Sequence, residues 1–141
     1  MSDGIRWLTQ RMVLSFHGET LQRHGGSPGL RDEALLESAL ARPHNRAAHK
    51  RAAHKRAADD TDATVFDLTA EYCAGIIGNH PFVDGNKRTG LLSAVVFVSL
   101  NGHRLTVDET DIVTTIEAVA SGDVPIDGLS IWFARNCLPE T

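Results

Sequence analysis

Between Asn86 and the pair Asn101-Gly102 the chain carries Leu91, Leu92, Val95, Val96, Phe97, Val98 and Leu100. At 3.6 residues per turn these side chains cover nearly every face of one helix, and such a helix cannot lie on a surface with one side in water. Other elements have to wrap it. Asn101-Gly102 is a helix-stop signal. The apolar run Leu91 to Leu100 includes Ser93 and Ser99 and falls short of the roughly 20 residues needed to cross a bilayer. The expectation is a buried central helix, with no membrane span.

The remainder of the sequence supplies the wrapping. Thr9 can cap a first helix running to about His24, with Met12, Leu14, Phe16 and Leu21 at helical spacing. His24 to Gly29 is a cluster of helix breakers and reads as a turn. Asp32 can cap a second helix through Leu35, Leu36, Ala39 and Leu40, which Pro43 is expected to end. Val65, Leu68, Tyr72 and Ile76 mark a third helix ending at Gly78. Beyond the central helix, Leu105 to Val107 suits a short extended piece. Ile112, Val113, Ile116, Val119 and Ala120 suit another helix before Gly122, and Trp132 and Phe133 a last short one. About six helices with little strand make the fold class all-α, and 141 residues suit a single domain spanning 1–141. Cys73 and Cys137 read as reduced thiols without metal-ligand spacing. The start Met1-Ser2-Asp3-Gly4 has neither a basic stretch nor an apolar core, so the cytoplasm is the expected compartment.

Charge is distributed unevenly. Arg42, Arg46, Lys50, Arg51, Lys55 and Arg56 fall in one stretch without an acid, leaving eight basic against 18 acidic residues elsewhere. An acidic body with one basic segment argues against a general nucleic-acid coat, which would spread its cations along a face. Within that segment Arg46-Ala-Ala-His-Lys50 is repeated as Arg51-Ala-Ala-His-Lys55 and begins again at Arg56. Five residues is no solenoid period. A solvated loop over residues 43–62 is expected, with Arg46, Arg51 and Arg56 as an alternative docking patch for an acidic partner.

The chemistry concentrates in His80-Pro81-Phe82-Val83-Asp84-Gly85-Asn86-Lys87-Arg88-Thr89. A loop feeding into a helix start presents unpaired backbone N–H groups and the positive end of the dipole, a ready place for phosphate. Gly85 lets the backbone approach an anion. Lys87 and Arg88 put two cations in the first turn, where the dipole disfavours them, and a bound anion would offset that misplacement. Asp84 beside phosphates suits a Mg²⁺ ligand, and the His80 imidazole suits a general base toward an incoming hydroxyl. Taken singly, His80 could be a structural hydrogen bonder, Asp84 an N-cap, and Lys87 and Arg88 solvated charges. Phe82 and Val83 are read as packing residues that anchor the loop.

This ten-residue run resembles the signature of the Fic/Doc family, and its lysine and threonine make it similar to the Doc branch, the death-on-curing toxins of type II toxin–antitoxin modules. Gly25-Gly26-Ser27-Pro28-Gly29, the segment Arg31 to Pro43 and Asn101-Gly102 extend the resemblance over most of the chain. It implies a Fic-like helical bundle with a short flap before the third helix, and a nucleotide-dependent transferase with ATP as substrate and Mg²⁺ as cofactor. It further implies His80 as the base, Asp84 as the metal ligand, and Gly85, Asn86, Lys87 and Arg88 as the phosphate cradle. AMP-transferring members typically have glycine where Lys87 stands and a second arginine where Leu91 stands. The resemblance therefore favours a Ser/Thr kinase passing the γ-phosphoryl group of ATP to a threonine of elongation factor Tu and inhibiting translation, with AMP transfer to a protein hydroxyl (AMPylation) as the alternative. It also implies a cognate antitoxin as partner. The family's inhibitory helix carries Ser or Thr followed four residues later by Glu; Ser15 and Glu19 share the spacing, but Thr20 follows, and the match is read as chance.

Two further readings remain from the residues themselves. A metal nuclease built on His80 and Asp84 lacks another His or Asp nearby to complete its site. A non-catalytic binding module would use the basic segment alone.

Overall fold

The computed structural model describes residues 4–56 and 64–140, over 50–56 by backbone alone. Among these described residues six helices and one small sheet follow in chain order: α1 Gln10–His24, α2 Glu33–Arg56, α3 Val65–Asn79, α4 Asn86–Leu100, β1 His103–Leu105, α5 Glu109–Ser121, α6 Ile126–Asn136 and β2 Cys137–Pro139. The all-α expectation holds. No helix among the described residues is long and apolar enough to cross a membrane.

Local chemistry sets most of the boundaries. Thr9 caps α1 with its side chain on the Met12 N–H, and Thr64 caps α3 in a reciprocal box with Asp67. The Asp32 carboxylate takes the Leu35 N–H at 3.1 Å at the start of α2. Such caps satisfy donors that a helix start leaves open, each at about 1 kcal/mol.

Among the described residues the most enclosed helix is α3, with nine buried residues against seven in α4. Leu68, Tyr72 and Ile76 face one apolar cluster with Val13, Leu36, Ala39, Phe82 and Phe97. Ala70, Cys73 and Ile77 face a second, with Ala94, Ile116, Leu129 and Phe133. Helix α4, expected at the centre, buries Ser93, Ala94, Phe97 and Val98 while Leu91, Leu92, Val95 and Val96 stay half-buried. The antiparallel pairing Leu105↔Cys137, Arg104↔Leu138 and His103↔Pro139 ties the C-terminal segment to the end of α4. The extended piece thus lies two residues earlier than the apolar Leu105–Val107 suggested.

The second helix departs furthest from expectation. Pro43 does not end the second helix, and the segment 43–62 is not a loop from its start: α2 runs through Pro43 to Arg56. A proline in a helix interior removes a hydrogen bond and costs about 3 kcal/mol. Tertiary contacts on both sides hold it in place. Arg42 Nε donates to Glu71 Oε1 at 3.0 Å and Arg46 Nη1 to Glu71 Oε2 at 2.9 Å, while Trp7 stacks on His44 with ring centres 3.9 Å apart. The Arg46 guanidinium also reaches Asp67 at 3.4 Å, and Ala47 is buried. The rest of the expected loop, 57–62, lies outside the described residues.

Candidate functional site

The run His80 to Arg88 occupies the junction between the end of α3 and the start of α4. His80 closes α3 in the left-handed conformation, φ 56° and ψ 52°, with its N–H on the Ile76 carbonyl. Among the described residues no other non-glycine has positive φ, a conformation costing about 1–2 kcal/mol for an L-residue. The strain is held from outside: Arg31 Nε donates to the His80 carbonyl at 2.7 Å and Arg31 Nη2 to that of Asn79 at 3.1 Å. The Arg31 and Asp32 N–H groups both reach the Pro81 carbonyl, and the Val83 N–H reaches Gly29. The His80 ring itself is exposed and makes no hydrogen bond within the described residues, so its nitrogens stand available to a substrate.

Asn86 folds back on the loop. Its Oδ1 accepts the Phe82 N–H and its Nδ2 donates to the Phe82 carbonyl, both at 3.0 Å and both buried. That side chain is committed to the loop, so any part it takes in holding a phosphate falls to its backbone. His17 of α1 braces the same turn: its ring stacks on Phe82 at 3.8 Å, nearly parallel, and Nε2 lies 2.8 Å from the Asp84 carbonyl. A carbonyl can only accept, so Nε2 carries the proton.

Asp84 is exposed, but its carboxylate is oriented. Oδ1 takes the Gly85 N–H at 2.9 Å and Oδ2 the Ser27 N–H at 3.2 Å. Each oxygen keeps a free lone pair, and a magnesium ion is commonly held by one or two carboxylates together with substrate phosphates. Among the described residues no cluster of three or more His, Cys, Asp or Glu could form a protein-only cage. The residues therefore fit a metal that shares its coordination with a bound phosphate. Gly26, at φ 119°, passes so close that a Cβ there would stand 2.9 Å from Asp84 Oδ2.

Gly85, at φ 79°, opens α4 without a side-chain cap, leaving first-turn N–H groups directed outward. Lys87 and Arg88 are exposed in that turn. Lys87 Nζ contacts both carboxylate oxygens of Glu117 on α5, at 3.0 and 3.2 Å; among the described residues Arg88 has no ion-pair partner. A cleft of about 990 Å³ joins His80, Asp84, Gly85, Lys87 and Arg88, with Ile77, Leu91, Ile112 and Ile116 as its apolar wall. Lys87, Asp84 and His80 thus share one space, as the sequence suggested.

The spacing of α3 and α4 depends on Gly90. A Cβ there would lie 2.8 Å from Ile77 Cγ1 and 3.1 Å from the Cys73 carbonyl, so the two helices approach closely just above the site.

Arg46, expected in a docking patch, is instead engaged with Glu71, Asp67 and Asp127 and is only 18% exposed. The buried carboxylate of Glu71 draws it inward. The side chains of Arg51 and Arg56 lie outside the described residues. The sequence did not point to His17, Ser27, Arg31 or Glu117; only the Gly-rich turn next to Arg31 was a visible cue, since the other contacts join residues up to 67 positions apart.

A sequence model of the Fic/DOC family matches residues 7–98. The chain is 26% identical over 131 residues to "Protein kinase doc" of Escherichia phage P1, covering 93% of this chain and 95% of that one. It is 32% identical over 112 residues to "Toxin Doc" of Mycolicibacterium smegmatis, covering 78% and 79%.

Proposed function

The chain belongs to the Fic/DOC family, and from that premise we propose that it is a Doc-like toxin acting as a nucleotide-dependent protein kinase. The observation that carries this reading is the single cleft joining an unpaired imidazole, an oriented carboxylate and an uncapped helix start with two cations. The P1 relative's name supports phosphoryl transfer, as do Lys87 and Leu91 at the positions where AMP-transferring members have glycine and arginine.

In the proposed mechanism the polyphosphate of ATP rests on the α4 N-terminus, held by the backbone N–H groups after Gly85 and by Lys87 and Arg88. Those donors stabilise charge on the transferring phosphoryl group. Asp84 would hold Mg²⁺ beside the phosphates, where it would supply neutralisation of part of their charge. His80 takes the proton from an acceptor hydroxyl. The hydroxyl oxygen bonds to the γ-phosphorus as the bond to the β,γ-bridging oxygen breaks, and ADP leaves. Arg31 fixes the His80 backbone, and Asn86 and His17 keep the loop from moving during this step. The acceptor we propose is a threonine of elongation factor Tu, and a cognate antitoxin is the partner that restrains the enzyme.

The test is a co-incubation with elongation factor Tu and Mg·ATP, labelled at either the γ- or the α-phosphate. Label from the γ position, lost in His80→Ala, supports the kinase. Label from the α position supports adenylyl transfer. No label from either, with nucleotide binding absent by calorimetry, overturns the reading.

A further inference from the structure

Five charged side chains line the cleft, and acids outnumber bases: Asp84, Glu109 and Glu117 against Lys87 and Arg88. A polyphosphate brings several negative charges into that space. Glu117 adds a specific conflict, since it grips the Lys87 ammonium with both oxygens from the opposite wall. The pair does little for the fold. Lys87 is 49% and Glu117 60% exposed, and solvated ion pairs contribute little to stability.

Resting on the nucleotide reading above, we infer that Glu117 is an internal competitor for Lys87 that sets the affinity for the nucleotide. With the cleft empty of anions, Glu117 neutralises a cation stranded in the first turn of α4, where the helix dipole opposes it. When a polyphosphate arrives, Lys87 turns from carboxylate to phosphate. Glu117 is exposed enough to be rehydrated on release, so the exchange leaves no buried unpaired charge. Its residual negative charge still repels the phosphates. Both effects act against binding, and neither touches the transfer step, so Glu117 is a positioning residue and not a catalytic one.

The test is a double-mutant cycle on the full chain, in which Mg·AMP-PNP binding is followed by equilibrium dialysis into the millimolar range. Glu117→Gln keeps the size and removes the charge. It is expected to tighten binding about three- to tenfold, the scale of a solvated charge pair plus the relieved repulsion, and to lower KM for ATP while kcat changes less than twofold. In the Lys87→Met background the same substitution should tighten binding less than twofold. Unchanged or weaker binding in Glu117→Gln, or equal tightening with and without Lys87, overturns the inference while leaving the nucleotide reading intact. Failure of the parent and of Glu117→Gln to bind any nucleotide overturns that reading, and this inference with it.

Discussion

Asn86→Ala should uncouple the loop from α4 with a measurable loss of stability. The Asn86 side chain satisfies both backbone groups of Phe82, each at 3.0 Å, and Phe82 is fully buried, so water has poor access to either group once the amide is gone. Each buried polar group left unpaired costs about 1–3 kcal/mol. For the two groups the sum is about 2–6 kcal/mol, and relaxation of the loop brings it toward about 2–4. For a domain of this size that corresponds to a Tm lower by roughly 10 °C. Urea unfolding followed by far-UV circular dichroism should show a lower midpoint at an unchanged slope, the signature of lost stability without a change in surface exposed. Phosphoryl transfer should fall with it, because His80 and Asp84 lie on either side of the clamped residue. Asn86→Asp keeps the acceptor for the Phe82 N–H but sets an oxygen against the Phe82 carbonyl, so it should recover part of the loss at most. A loss below about 0.5 kcal/mol in Asn86→Ala, within the range of ordinary surface substitutions, would refute the clamp.

Three other outcomes follow from the same contacts. His80→Gly should abolish transfer yet raise stability by about 0.5–1 kcal/mol, since glycine adopts the left-handed cap without the Cβ clash; His80→Ala should abolish transfer without that gain. Glu71→Ala should cost about 3 kcal/mol by leaving Arg46 half-enclosed without its main partner, and hydrogen exchange should show faster opening of α2 around Pro43. Burial pushes the Cys73 thiol up to about 12 from 9.0. It does the same to Tyr72, up to about 12 from 10.0, against the opposing Leu8 N–H. The folded state therefore keeps protons that the unfolded chain releases, so stability should hold below pH 9 and fall between about pH 9 and 12. Denaturant midpoints across that range check the sign, and a thiol reagent at neutral pH should react with Cys73 only as fast as the chain opens.

How much was legible depended on the range of the interaction. Thr9, Asp32, Asn101 and Gly122 mark helix ends through contacts within a few residues, and those ends are where the sequence placed them. Pro43 misled because its local veto is overruled by Glu71, 28 positions away, which no pattern around the proline reveals. The docking role expected of Arg46 failed for the same reason. In the site, His80, Asp84, Gly85, Lys87 and Arg88 were visible as members of one short run, with two cations where the helix dipole opposes them. The parts that hold them, His17, Ser27 and Arg31, come from segments brought alongside only by folding. Glu117 gave no cue at all, being one more acid on an amphipathic helix.

Gly90 carries a consequence beyond packing. It lies one turn inside α4, yet the missing methyl there sets how near α3 can come, and α3 ends at His80 while α4 begins with the proposed anion seat. The gauge of the gap proposed for the reaction is thus cut by a residue outside the cleft. Any side chain at that position would act as a shim, parting the His80 imidazole from the start of α4 while leaving every functional side chain intact.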